Sequence, residues 1–273
     1  MLPNFLVIGA MKSGTTSLYH YLRAHPQVFM PQHKELNFFV ASKGWSHGRA
    51  WYEAQFAGAE GAIAVGEASP TYAMHPEFPG VADRIADLLP EVRLVYALRH
   101  PIERMRSHYL HEVGHGREHA PIAQALVDNP RYLDTSRYGM QLERYLARFP
   151  PERLQVITAE ELHDHRVATV RRVLEFLGAD PDRLPPTLDQ EFHRTATKRV
   201  RRPVAQAVLA VPGSRVLRQL APRPVRRLAS RRAQAPPATI PAAVQAHLRR
   251  ELEGDIRRLR AHLGAGFHGW GLG

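Results

Sequence analysis

Cysteine is absent from the 273 residues. That excludes disulfides, a thiolate nucleophile and any Cys-ligated zinc or iron–sulfur site, and it fits a reducing cytoplasm. Long apolar runs are missing too: none approaches the roughly 20 residues that a membrane-crossing helix needs. The N-terminal apolar run is short, and Lys12 follows it rather than preceding it, so no signal peptide is expected. There is no internal repeat and no strong low-complexity tract. Acidic residues are missing from one long segment. From Phe192 to Arg250 there is no Asp or Glu, while 14 Lys and Arg stand there, leaving 23 basic against 26 acidic residues in the remainder. The formal net charge of +11 is therefore local, and it needs a local cause. At 44% hydrophobic, the chain can bury one large core.

The most informative stretch is Phe5 to Tyr19, FLVIGAMKSGTTSLY. FLVIG is an apolar run closed by glycine and reads as a buried strand. AMKSG is small and polar. TTSLYHYLRAH restores helical spacing, with Leu18, Tyr21 and Leu22 on one side. Strand, glycine loop and helix N-terminus form an anion cradle, because free N–H groups point at the ligand and the helix dipole favours negative charge. An ordinary βα turn is the plainer alternative. A nucleotide P-loop runs G-x-x-x-x-G-K-[ST]. Gly9 and Gly14 have that spacing and Thr16 fills the hydroxyl place, but Thr15 stands where the lysine belongs, and the loop's lysine is Lys12. The displaced cation argues against ordinary ATP or GTP hydrolysis. The loop resembles the K-x-G-T-T pattern of sulfotransferases that use 3′-phosphoadenosine 5′-phosphosulfate (PAPS).

Further along, Val92 to Leu98 (VRLVYAL) reads as the best strand, bounded by Pro90 and by Arg99-His100-Pro101. A helix follows with Ser107 about two turns in. Arg99 and Ser107 can converge on one phosphate, a guanidinium fork plus a hydroxyl donor. The spacing R-x-x-x-x-x-x-x-S after a hydrophobic strand is similar to the second PAPS signature, which grips the nucleotide's 3′-phosphate. Between the two signatures lies Lys34-Glu35-Leu36-Asn37-Phe38-Phe39. Glu35, flanked by a lysine and large apolar residues, is by itself either a surface carboxylate or one whose acidity is tuned. The resemblance to heparan-sulfate-type sulfotransferases, with their K-E-x-x-F-F-like segment, implies that Glu35 is the general base. A second apolar run, Ala62 to Gly66, reads as a strand and leads to Glu67-Ala68-Ser69-Pro70-Thr71-Tyr72. This is similar to the family's G-E-x-[ST]-P-x-Y segment, with Ala68 where the family often has Lys.

His111-Glu112-Val113-Gly114-His115 matches the H-E-x-x-H zinc helix. Gly114 weakens the helix, Pro121 stands where an extended motif needs His, and no third ligand is evident, so zinc hydrolysis is a minor alternative and no metal is expected. His108, His111, His115 and His119 read as a solvated or acceptor-facing helix surface. Gly116 to Asn129 reads as a loop. Then come a helix from Tyr138 to Phe149, a strand from Leu154 to Thr158, a helix from Val167 with a C-cap at Gly178, and a last helix from Ala242 to Leu263 leading to Trp270.

The expected architecture is one α/β domain spanning 1–273, P-loop-like, with a parallel sheet of four or five strands and helices on both faces. The resemblance implies PAPS-dependent sulfuryl transfer to a hydroxyl or amine. The 5′-phosphosulfate would be held by Lys12 and the backbone of Ser13, Gly14, Thr15 and Thr16, and the 3′-phosphate by Arg99 and Ser107. Lys198 and Arg199 are the nearest candidates for the family's closing basic loop, within a cover segment at about 192–240. Carbohydrate, glycolipid or other lipid-linked compounds and small natural products all stand open as acceptors. A nucleotide kinase or NTPase is the competing enzyme class, but it lacks its lysine. Between Arg215 and Arg232, arginines alternate with Val216, Leu217, Leu220, Val225 and Leu228. That is the makeup of a helix lying on an anionic membrane, or of an arginine-rich cover. No nucleic-acid partner is expected, and the location read from composition is cytoplasmic, with peripheral membrane attachment as a further reading.

Overall fold

The computed structural model describes residues 1–184, 186–189, 199–201, 232–234, 238–264 and 266–272. Its centre is a five-stranded parallel sheet built from β1 (Phe5–Gly9), β2 (Val28–Phe29), β3 (Ala64–Ala68), β4 (Arg93–Leu98) and β5 (Leu154–Thr158), in the order β2-β3-β1-β4-β5. Both faces of the central strands are buried, as parallel sheets require. Alternation divides them. Leu6, Ile8, Leu94, Tyr96 and Leu98 enter one core layer, while Phe5, Val7, Val95 and Ala97 enter the other. The second layer is closed by α1 (Thr15–Arg23) through Leu18, Tyr21 and Leu22, and by α9 (Arg166–Leu177) through Val170, Val173, Leu174 and Leu177. Gly66 in β3 is demanded by its neighbour, since a Cβ there would lie 2.5 Å from the Phe5 ring.

The first layer is covered by α2 (Gly48–Ala54), α3 (Val81–Leu88), α7 (Tyr138–Leu146) and α10 (Ala242–Leu263). Helix α4 (Pro101–His115) leaves the end of β4, followed by the short helices α5 (Ile122–Asp128) and α6 (Pro130–Asp134). Helix α8 (Ala159–Asp164) begins with a capping box, in which Thr158 and Glu161 satisfy each other's backbone N–H groups. The last helix, α10, is latched to the start of α7. Buried Asp255 accepts hydrogen bonds from the N–H groups of Gly139 and Met140, each at 2.8 Å. Gly139 allows the approach, because a Cβ there would stand 2.7 Å from the Asp255 carbonyl oxygen. Trp270 packs against Phe267 and Tyr138.

Three segments differ from the sequence expectation. The strand expected at Ala62 to Gly66 lies two residues later, at Ala64–Ala68, because Glu67 is buried inside it. The stretch from Pro31 to Phe56, irregular by its sequence, holds α2, and the expected loop from Gly116 to Asn129 holds α5. The strands β6 (Arg199–Arg201) and β7 (Arg232–Gln234) pair antiparallel. Lys198 and most of the arginine-rich segment lie outside the described residues, as does the Arg199 side chain.

Candidate active site

The C-terminal ends of β1, β3 and β4 open on one cleft of about 970 Å³, the position at which open α/β sheets take their ligands. Lys12, Gly14, Thr15 and Thr16 line one side, and Arg99 and Ser107 line it from the β4–α4 junction. Ser13 is buried beneath. Glu35 lines the same cleft. The sequence thus places its catalytic candidate and its phosphate signatures together, with only Lys198 and Arg199 unaccounted for.

Local chemistry explains the loop. Gly14 is in the left-handed region at φ 84° and caps α1 without a side chain, and no acidic residue occupies the first turn. The helix N-terminus is therefore left to an external anion. Lys12 is also left-handed, at φ 72°. The Ala10 N–H donates to the Ala97 carbonyl of β4 at 2.6 Å, and Arg99 Nη1 donates to the Lys12 carbonyl at 3.5 Å. Tyr138, buried at the start of α7, donates its hydroxyl to the Arg99 carbonyl at 2.8 Å. Seven Lys and Arg side chains line the cleft against three Glu, so the ligand that fits it is an anion.

Glu35 is half exposed and paired with Lys34 at 2.7 Å. Its backbone is left-handed at φ 67°, as is that of Asn37 at φ 52°. Four hydrogen bonds hold this bend. Glu35 N–H donates to the Ala68 carbonyl at 3.1 Å, and Asn37 N–H to Ser69 Oγ at 2.9 Å. The Asn37 amide donates to the Glu35 carbonyl at 2.7 Å, and Thr71 donates its hydroxyl to Asn37 Oδ1. Behind the bend lies the fully buried Glu67, which accepts from Ser69 Oγ at 2.6 Å, from Tyr52 at 3.2 Å and from Tyr72. Burial pushes the Glu67 carboxyl up, and the three hydroxyls pull against it. The apolar surroundings of K-E-L-N-F-F therefore fall on Phe38 and Phe39, both buried, and the buried carboxylate of the region is Glu67.

Helix α4 turns Arg104, Ser107, His108 and His111 toward one side, a polar stripe at helical spacing of which sequence reasoning passed over Arg104. His108 is fully buried and so takes no part in the expected solvated or acceptor-facing histidine surface, whereas His111 lines the cleft. Burial and the charges of Arg104 and Arg131 hold His108 far below the usual histidine range. The H-E-x-x-H match has other employment. Glu112 is gripped by the Arg117 fork at 2.7 and 2.8 Å, and the His115 ring N–H donates to the His111 carbonyl at 2.7 Å. Burial raises Glu112, but the hydrogen bonds and charge of Arg117 outweigh it and hold the carboxyl low. Among the described residues no group of three side chains is placed to hold a metal ion.

The sulfotransferase domain family matches residues 2–202. The chain belongs to the sulfotransferase family. The excess of cationic side chains lining the cleft is in keeping with that membership. A solved sulfotransferase from Alicyclobacillus acidocaldarius is 25% identical, with a TM-score of 0.73 over 99% of both chains. The human bifunctional heparan sulfate N-deacetylase/N-sulfotransferase 2 is 29% identical over 202 residues, which are 66% of this chain and 22% of that protein. The mouse heparan sulfate glucosamine 3-O-sulfotransferase 5 is 28% identical over 69% of this chain and 56% of its own length. The membrane-associated sulfotransferase kil1 of Dictyostelium discoideum is 40% identical over 111 residues, 40% of this chain and 22% of its own. The sulfotransferase thus spans about a fifth of the length of the first two of these curated relatives as they are matched, kil1 and the human enzyme.

Proposed function

We propose that this sulfotransferase transfers the sulfuryl group of PAPS to a hydroxyl, or an amine, of a carbohydrate-type acceptor, and that residues 1–273 act as one domain. The observation that carries the reading is the shared cleft: Lys12 with the α1 N-terminus, Arg99 with Ser107, and Glu35 all face one space. The heparan sulfate relatives support a carbohydrate acceptor.

In this mechanism PAPS supplies a sulfur atom that leaves one oxygen, that of the 5′-phosphate, as the acceptor oxygen or nitrogen bonds to it. Lys12 and the N–H groups from Gly14 to Thr16 hold the 5′ end and meet the charge that grows on the departing phosphate oxygen, whereas the Ser13 N–H, expected in the same cradle, is taken by the Ala10 carbonyl at 3.1 Å. Arg99 and Ser107 hold the 3′-phosphate. Glu35 takes the acceptor's proton. Its left-handed backbone aims it from the cleft wall, and the Ser69–Asn37 contact keeps it there.

Calorimetry with 3′-phosphoadenosine 5′-phosphate (PAP) and with ATP tests the donor assignment. PAP should bind more tightly, with no need for magnesium. Equal affinities, or a magnesium-dependent preference for ATP, would sink it. An acceptor screen with labelled PAPS and a mass readout then identifies the sulfated product. A cytoplasmic location with peripheral attachment to an anionic membrane belongs to the same proposal. Its support is the cysteine-free sequence, the arginine-rich segment and the membrane-associated relative. Among the described residues no helix is long and apolar enough to cross a membrane. Cosedimentation with anionic and neutral vesicles across a salt series decides the attachment, which requires binding to anionic vesicles alone.

A further inference from the structure

Arg104 is the largest fully buried side chain of the described residues, at 0% exposure. A buried guanidinium ordinarily sits against a carboxylate. Here its partners are neutral. Nε donates to Ser136 Oγ at 2.6 Å and Nη2 to the Tyr132 carbonyl at 2.6 Å. Nη1 faces His108 Nδ1 at 3.3 Å and the Met11 carbonyl at 3.4 Å. Among the described residues, no carboxylate forms an ion pair with it, and its neighbours include the buried, uncharged phenols of Tyr96, Tyr132 and Tyr138 and the cation of Arg131. Burial brings its pKa down to about 10, so it is still a cation near neutral pH.

Its position gives this charge a use. Met11 directly precedes Lys12 in the donor loop. Arg104 takes the Met11 carbonyl and Arg99 takes the Lys12 carbonyl, so two successive carbonyls of the loop are held from α4 and its approach. Turning the Met11 carbonyl toward Arg104 turns the Lys12 N–H of the same peptide the other way, while the next N–H, that of Ser13, closes the loop on the Ala10 carbonyl at 3.1 Å and leaves the amides from Gly14 onward for a ligand. His108, held neutral, accepts from Arg104 and contributes no opposing charge.

We propose that Arg104 is a positioning residue of the donor site: it fixes the Met11 carbonyl so that Lys12 and the loop amides converge, and its buried charge is countered by the donor's phosphate and sulfate groups. This rests on the donor-site reading above. The competing role is a peg that only joins α4 to Tyr132 and Ser136.

The full chain carrying Arg104→Met is compared with the wild type by calorimetry with PAP and with adenosine, which has the same base and sugar but no phosphate. Wild-type binding of PAP tests the donor-site reading itself, and its failure would be seen before any variant is made. For Arg104→Met the expectation is a roughly 10- to 100-fold loss of PAP affinity, with adenosine affinity within about twofold of wild type. The KM for PAPS should rise while the KM for the acceptor stays put. Where Arg104→Met does not fold, Arg104→Lys carries the test. It keeps the cation but cannot span Ser136, Tyr132 and Met11 together, so a PAP loss of about 3- to 10-fold is expected, again without a matching loss for adenosine. Unchanged PAP affinity in the folded variant overturns the proposal. Equal losses for PAP and adenosine also overturn it, because they mark a pocket loosened as a whole.

Discussion

Replacing Ser69 with alanine should separate turnover from donor binding. The Ser69 hydroxyl stands between two strained or costly features. On one side it accepts the Asn37 N–H at 2.9 Å, and on the other it donates to Glu67 at 2.6 Å. Glu35 and Asn37 both have left-handed backbones, at φ 67° and 52°, a conformation that costs a non-glycine residue about 1–2 kcal/mol. Removing the hydroxyl leaves the Asn37 N–H without its acceptor and takes one of three donors from a buried carboxyl. Such a loss costs about 1–3 kcal/mol. If that cost is met by relaxation of the bend, Glu35 leaves its place for a corresponding fraction of the time. At 1.36 kcal/mol per tenfold, kcat should fall by about 5- to 160-fold. The Ser69 hydroxyl bonds to Asn37 and Glu67 and to no group of the 10–16 loop, so PAP affinity by calorimetry should stay within about twofold. Steady-state kinetics with PAPS and the identified acceptor give kcat, and a melting curve gives the stability change. A lowered melting temperature with kcat within twofold of wild type would refute the argument, since Ser69 would then support only the core.

Further outcomes follow from the same geometry. Glu35→Gln keeps the shape and removes the base, so kcat should drop by about 10²–10⁴-fold with PAP affinity spared, and near-full activity would move the base to another group, His111 first. Lys12→Ala should lower both turnover and PAP affinity, the former by roughly 10²-fold or more, measured in the same two assays. Because His108 is held neutral, its contribution to stability is fully present above its unfolded pKa of about 6.5 and is lost as pH falls below that, at up to about 1.4 kcal/mol per pH unit. The melting temperature should therefore drop between pH 7 and 5.5, and His108→Gln should flatten the drop. Glu112, held low by Arg117, adds its loss only below about pH 4.5, so the two effects separate on the pH axis.

Much of this was legible in the sequence because it depends on neighbours in the chain. FLVIG and LQVIT are strands with the bounds their apolar runs suggest, and the last helix spans Ala242–Leu263 as its periodicity implies. The Gly9–Gly14 spacing brought Lys12 and Thr16 to the cleft, and the Arg99–Ser107 spacing met them there. What stayed hidden depends on partners far along the chain. Glu67 reads as the polar end of a strand until Tyr52, Ser69 and Tyr72 close around it. Arg104 reads as a solvated helix arginine until Tyr132, Ser136 and Met11 enclose it. Strand β2 has two residues, too few for any period to show. In α2, Trp51 and Tyr52 sit beside polar residues, and the stacking of Tyr52 on Phe38 at 4.1 Å, a tertiary contact, fixes which face is inward.

The Asp255 latch gives the tail of the chain a stake in the cleft. The family match ends at residue 202, and all the cleft-lining residues named above precede it. Yet Asp255 caps the first turn of α7, and Tyr138 in that turn carries the hydrogen bond to the Arg99 carbonyl. A chain shortened to the boundary of the match would retain these contact residues and lose the brace that sets one of their angles. Homology boundaries drawn at 202 would thus cut away Asp255, and with it the support of the α7 turn whose Tyr138 holds the Arg99 carbonyl at the cleft.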